Sequence, residues 1–240
     1  MPISALAALL ILVQASLLGA RETTCPPGCH PGRWSTEAID LSTQKVKAPY
    51  GDRDIRVYSP DHQKSFRVVN DRWWVEVGGK RLSQQGESSA LYYPAEVAWA
   101  PDSRAFFLTL SFGDTTGYTT AVYRVSEEKL IPVLHMNPMI QKDFDRHHKC
   151  FDAGTGNDPN VAGLKWLQDS DRLLVIAEVP PVGICKQMGY FGGYEISLAS
   201  MKIVGRFSPE QLADRWIGAL GDRLSSNFSN LSQAAKASVP

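Results

Sequence analysis

The chain reads as an all-β protein built from blade-like, four-stranded antiparallel repeats, with one amphipathic helix near the C-terminus. Three observations predict this. Short apolar or alternating segments of strand length follow one another, separated by Pro-Asp, Gly-Gly and Ser/Thr-rich turns. A motif of an aromatic residue followed three positions later by Asp recurs at fixed offsets. Helical periodicity emerges only after Ser208.

Residues 1–20 contain no charged side chain, run apolar without interruption over 5–13 and close on Leu18-Gly19-Ala20. This predicts a secretory signal cleaved after Ala20, although no Lys or Arg precedes the apolar core. The competing reading, an uncleaved anchor, has to accommodate Gln14 and Ser16 in a run short of the roughly 20 apolar residues of a bilayer span. No later stretch is apolar enough to cross a membrane. The mature chain is expected to be secreted or periplasmic.

Lys+Arg and Asp+Glu each total 25, and none lies in 1–20, so the mature chain is neutral. A nucleic-acid binder would carry a basic excess, so no nucleic-acid partner is expected. Four cysteines, Cys25, Cys29, Cys150 and Cys185, follow the signal, an even number that suits two disulfides outside the cytosol. Three pairings exist. Proximity favours Cys25–Cys29 with Cys150–Cys185; cross-pairing would staple the leader to a distant loop.

Residues 21–35 form a Pro/Gly/Cys leader in which regular structure is implausible. The repeat domain is expected over 36–207. It opens with a pair of short strands, 37–41 and 45–47, around a Ser-Thr-Gln turn. Residues 55–58 alternate and meet the turn Ser59-Pro60-Asp61-His62, in which Pro and Asp suit a type I turn. Strands follow at 65–69 and 73–77, then the hairpin signal Gly78-Gly79 and a short return at 80–82. Residues 96–99 lead through Ala100-Pro101-Asp102-Ser103 into the apolar run 106–110, which has the length of a strand buried on both faces. Residues 119–125 alternate, 126–129 turn, and 130–134 close the unit.

The pattern is interrupted at 135–160 and resumes with 164–167, the turn 168–171 and the apolar run 173–179. A second insertion, 180–193, precedes paired strands at 194–198 and 202–207. Ser208 as N-cap, Pro209 at the first helical position and Gln211 completing a capping box predict a helix over 209–224. Leu212, Trp216, Ile217, Leu220 and Leu224 form its apolar face, suited to covering an exposed sheet edge. Residues 225–240 read as a disordered tail carrying two glycosylation sequons, at Asn227 and Asn230.

Trp99, Pro101, Asp102 and Ser103 align with Trp166, Gln168, Asp169 and Ser170 at a constant offset of 67 residues, and Tyr58, Pro60 and Asp61 precede the first set by 41. A period near 41 is that of a four-stranded propeller blade. These motifs resemble the W-S-P-D-G repeats of TolB-type and related WD40-like β-propellers, over about residues 36–207. The resemblance implies that the aromatic packs between neighbouring blades, that Pro-Asp fixes a hairpin and that the following strand is buried. It departs from the family at the glycine, which is replaced by His62, Ser103 and Ser170. Three full units and one leading pair of outer strands fall short of the four to eight blades of a closed ring. A partial or compact propeller-like domain is therefore expected.

Cys25-Pro-Pro-Gly-Cys29-His30 resembles a c-type haem attachment site with one residue too many between the cysteines. His135, His147, His148 and Cys150 are metal-ligand types, but the histidines lack a converging spacing. Asp152, Asn157, Asp158 and Asn160 offer oxygens suited to calcium, without the spacing of an EF-hand. No cofactor is expected. Trp73 and Trp74, adjacent on a strand, must point to opposite faces; one belongs in the core and the other is a candidate contact for a partner.

No serine-hydrolase elbow, zincin motif, Walker loop or dinucleotide fingerprint is present. The expected function is that of an exported binding protein whose partner is a protein or a cell-envelope component. The candidate binding residues are Trp73, Trp74, His147, His148, Asp152 and Asp158. The alternative is a secreted or periplasmic hydrolase-like enzyme whose site is formed by the 135–160 and 180–193 insertions.

Overall fold

The structure, a computed structural model, describes residues 30–42, 54–69, 72–82, 91, 94–112, 117–148, 158–167, 170–180 and 188–226. The signal, the four cysteines, the second leading strand, Asp152 and the sequons lie outside the described residues.

The fold is all-β, with three antiparallel sheets. β1 is Ile39–Asp40. The first sheet runs in the order β2 (Asp54–Tyr58), β3 (Lys64–Val69), β4 (Arg72–Val77), β5 (Lys80–Leu82). The second has the order β1, β6 (Ala95–Trp99), β7 (Ala105–Ser111), β8 (Tyr118–Val125), β9 (Leu130–Pro132). The third comprises β10 (Asn160–Trp166), β11 (Arg172–Glu178), β12 (Phe191–Ser197) and β13 (Lys202–Phe207). Apart from β1, each sheet is a meander of consecutive hairpins, as the repeat predicts.

The first and second sheets bury one core between them. Val57, Phe66, Val68, Trp73 and Val75 meet Val97, Trp99, Phe106, Leu108 and Tyr123. Phe66 stacks on Trp73 at 5.1 Å, and Phe106 meets Trp99 at the same separation with the rings tilted by 59°. The second and third sheets enclose another core of Phe107, Val122, Val161, Leu173 and Val175. Gly163 is needed there, because a Cβ would come within 2.6 Å of the Phe107 ring.

The motif aromatics tie successive sheets together. Trp99 Nε1 donates to the carbonyl of Val57 at 3.1 Å, and Trp166 Nε1 to that of Ala98 at 3.0 Å. In each pair the acceptor is the residue just before the aromatic of the preceding unit. The position of the missing glycine takes a left-handed conformation in all three copies, with φ of 58° at His62, 62° at Ser103 and 52° at Ser170. In the second and third copies the serine hydroxyl accepts a backbone N–H from the preceding unit, Asp61 to Ser103 and Asp102 to Ser170.

Three expectations need correction. The leading strand is not an outer strand: β1 pairs with β6, with Ile39 opposite Val97 and Asp40 opposite Glu96. It therefore adds a fifth strand at the β6 edge of the second sheet. The 135–160 insertion is not purely irregular, for it contains α1 (Met136–His147). Met136, Ile140 and Phe144 recur every four residues and plug the core between the second and third sheets, and Arg206 of β13 holds Asp143 of α1 by two hydrogen bonds of 2.8 Å.

The C-terminal helix is the third correction. α2 (Pro209–Trp216) has the expected capping box of Ser208 and Gln211. It then tightens into a 3-10 turn, Ile217–Ala219, and Leu220 bridges to Ser35 in extended backbone. Gly218 and Gly221 weaken helical continuation here, and a Cβ at Gly221 would lie 2.3 Å from the Arg33 carbonyl. The helix covers a sheet face and not an edge: Leu212, Leu220, Leu224 and Trp34 bury Leu164, Leu174, Ile176 and Phe191 on the far side of the third sheet.

Candidate functional site

The three sheets form a stack with unlike ends. The far face of the third sheet is closed by α2 and the 31–36 strap. The outer face of the first sheet has no element packed on it among the described residues. Alternation along β2, β3, β4 and β5 places Asp54, Arg56 and Tyr58, then Arg67, then Arg72, Trp74 and Glu76, then Arg81, on that face. The register sets Arg67 between Arg56 and Trp74, and Glu76 opposite Arg81.

The tryptophan pair divides as the strand geometry requires. Trp73 is 6 % exposed in the core against Phe66, Phe106 and Tyr123. Trp74 is half-buried on the outer face. Its indole N–H donates to Glu76 Oε1 at 3.1 Å. The Arg81 guanidinium lies 4.0 Å over its ring and that of Arg67 5.7 Å away. Glu76 also accepts from Arg56 at 2.8 Å and Arg67 at 3.2 Å, while Arg67 clamps Asp54 with bonds of 3.1 and 3.0 Å. Partial burial pushes the Glu76 carboxyl up, but bonds from Trp74 and Arg67 and the charge of Arg56 outweigh it. Its pKa falls below the ordinary value, and it stays ionised.

The residues proposed around the insertions are placed differently. His148 is sandwiched between Phe144 at 4.3 Å and Tyr190 at 4.5 Å, so the two insertions meet through aromatic rings. His147 is exposed and its Nδ1 lies 2.8 Å from the Asp143 carbonyl oxygen. Asp158 is exposed; burial, and then the Asp158 charge, raises the pKa of Asp145. Among the described residues no three His, Cys, Asp or Glu side chains converge to hold a metal ion, and no helix is long and apolar enough to cross a membrane.

A second polar constellation, absent from the sequence reading, lies at the opposite end. A cleft of about 620 Å³ opens between the strap and the short helical segment 222–226, lined by His30, Arg33, Trp34, Asp40, Asp222 and Arg223 among others. Beneath it Glu96 is fully buried, its Oε2 accepting the N–H groups of Trp34 at 3.0 Å and Ser35 at 3.4 Å. Burial pushes its carboxyl up to about 8 despite those bonds. Nearby, Tyr118 donates to buried Glu178 at 2.6 Å, and Arg223 reaches the same carboxylate at 3.3 Å while stacking on the Tyr118 ring. These groups fasten the strap and the C-terminal helical segment to the sheets. One sequence signal pointed here: Glu96 is the sole charge in a run of apolar residues, 95–100.

No protein-family model matches the chain, and no curated protein matches it in sequence.

Proposed function

We propose that this chain is an exported binding module of TolB-type, propeller-like repeats that engages a protein partner through the outer face of its first sheet. The observation that carries the reading is the asymmetry of the stack. Its far end is sealed by its own helix and strap, whereas the near end presents Trp74, Tyr58 and four arginines. These are the residue types enriched at protein interfaces and their hot spots.

The stitching residues support an open end that receives no further blade. The second and third units carry a tryptophan and a serine that bond back to the preceding unit. The first unit has Tyr58 and His62 at those positions, and Tyr58 is 37 % exposed. Recurrence of Trp99 and Trp166, and of Ser103 and Ser170, at equivalent positions bonded to the unit before supports the kinship with TolB-type repeats. The secretory signal pattern of residues 1–20 supports a partner outside the cytosol.

The test is affinity capture from the native envelope or medium with the mature protein and its Trp74→Ala variant. A specific protein retained by the wild type and lost from the variant is the expected result. Identical captures would sink the reading.

A further inference from the structure

We infer that the partner presents an acidic polypeptide segment to the arginine-flanked Trp74 face, an inference that rests on the binding-module reading above. The charges on the face do not balance. Four arginines, Arg56, Arg67, Arg72 and Arg81, stand against two carboxylates, Asp54 and Glu76. Both carboxylates are already used: Glu76 by Arg56, Arg67 and the Trp74 N–H, and Asp54 by Arg67. Arg72 and Arg81 have no carboxylate partner among the described residues. They flank Trp74, Arg72 two residues before it on the same face of β4 and Arg81 across on β5, over the indole ring.

The chemistry of these groups selects the ligand. A guanidinium held flat on an aromatic ring keeps its N–H edge directed outward, and its planar fork matches a carboxylate with two parallel hydrogen bonds. Stacking on Trp74 fixes Arg81 in advance and lowers the entropy lost on pairing. The ring itself is committed, with Arg81 on its face and its N–H on Glu76, so it does not offer the bare platform on which a sugar ring stacks. A segment bearing spaced Asp or Glu side chains meets both unpaired arginines, and its apolar residues cover Tyr58 and the rim of Trp74.

The chain does not carry this segment itself. No stretch outside the described residues carries more than one acidic side chain: Glu22 in 21–29, Asp52 in 43–53, Asp71 in 70–71, Glu87 in 83–90, Asp114 in 113–116, Asp152 in 149–157 and Asp169 in 168–169, with none in 227–240. The occupant is another protein.

The test titrates the mature protein with a labelled glutamate-rich peptide, its glutamine counterpart of equal length, and heparin. The variants are Trp74→Ala and the double change Arg72→Gln/Arg81→Gln, with thermal melting to confirm folding. The expected result is binding of the glutamate peptide only, weakened roughly tenfold or more by the double change, and weakened again when salt shortens the screening length from about 10 Å toward 3 Å. Equal binding of the glutamine peptide, indifference to the double change, or binding of heparin alone overturns the inference, as does self-association lost in the double variant.

The native capture separates the two levels. A captured protein lost with Trp74→Ala but kept by the double variant and in high salt leaves the binding-module reading standing and removes the acidic segment. A captured protein kept by both variants removes both.

Discussion

The Ser103 hydroxyl accepts the backbone N–H of Asp61 at 3.0 Å across the boundary between the first two sheets. Ser103 does this from a left-handed conformation, at φ 62°, where a side chain costs roughly 1 kcal/mol or more relative to glycine. The bond offsets that strain, and it accounts for a serine at a left-handed position that would otherwise favour glycine. Ser170 repeats the arrangement onto Asp102 at 3.1 Å. His62 has the conformation without a preceding unit to bond.

The serine and histidine positions should therefore respond differently to substitution. Ser103→Ala keeps the strain and strands a donor, and should lower stability by about 1–2 kcal/mol. Ser103→Gly loses the same bond but relieves the strain, so its loss should be smaller. His62→Gly should raise stability by up to about 1 kcal/mol. Urea unfolding of the three variants measures this ranking; equal losses in the two Ser103 variants would disprove the strain argument.

Adjacent tryptophans provide a second contrast. Trp73 fills the core between the first two sheets, and Trp73→Ala should cost about 3–5 kcal/mol. Trp74 lies on the uncovered face, and Trp74→Ala should cost under about 1 kcal/mol while abolishing partner capture. Denaturant midpoints for the two variants, measured beside the capture experiment, decide the matter. A large stability loss in Trp74→Ala would make that face structural.

Much of this architecture was legible in the chain. The 41- and 67-residue offsets marked the units because each repeats the same contact, an indole bonded to the preceding unit. α1 was obscured by Pro138 in its first turn and by His135, which supplies no side-chain cap, although Met136, Ile140 and Phe144 carried its period. The placement of Ile39-Asp40 beside β6 was not legible, because a two-residue strand has no pattern of its own and is fixed by Glu96 and the strap. Period-2 spacing separated Trp73 from Trp74, but it could not show which sheet face would stay uncovered. That depends on which end of the stack α2 closes.

The strap makes a steric demand that can be tested directly. A Cβ at Gly32 would stand 2.1 Å from Glu96 Oε2 and 2.6 Å from the Ser35 carbonyl oxygen. Gly32→Ala should cost about 1–3 kcal/mol by forcing the strap off its buried carboxylate. At Gly218 a Cβ meets nothing within 4 Å, so Gly218→Ala should be neutral or stabilising by up to about 1 kcal/mol. Thermal melts of the pair provide the comparison. A Gly32→Ala protein as stable as wild type would show that the strap is loosely held.

Glu96 should also give the protein a pH dependence opposite to that of its surface carboxylates. Its ordinary pKa is 4.5, and in the folded state burial raises it to about 8, with the Asp40 charge across the strand pushing the same way. Arg33, whose Nε is 3.8 Å from Asp40, is the cation beside this acid pair. Between those two values the folded chain holds a proton that the unfolded chain releases. The stabilising contribution is thus complete below 4.5 and declines as pH rises toward 8, by up to about 1.4 kcal/mol per pH unit. Glu96→Gln keeps an oxygen acceptor for the Trp34 and Ser35 N–H groups and removes the titration. The depressed carboxyls of Asp61, Glu76 and Asp143 act with the opposite sign in the acid range and cancel when the two proteins are compared. Urea unfolding at intervals from pH 5 to 8 should therefore show the wild type losing stability relative to Glu96→Gln as pH rises. Parallel curves would mean that the buried carboxyl does not change protonation on folding.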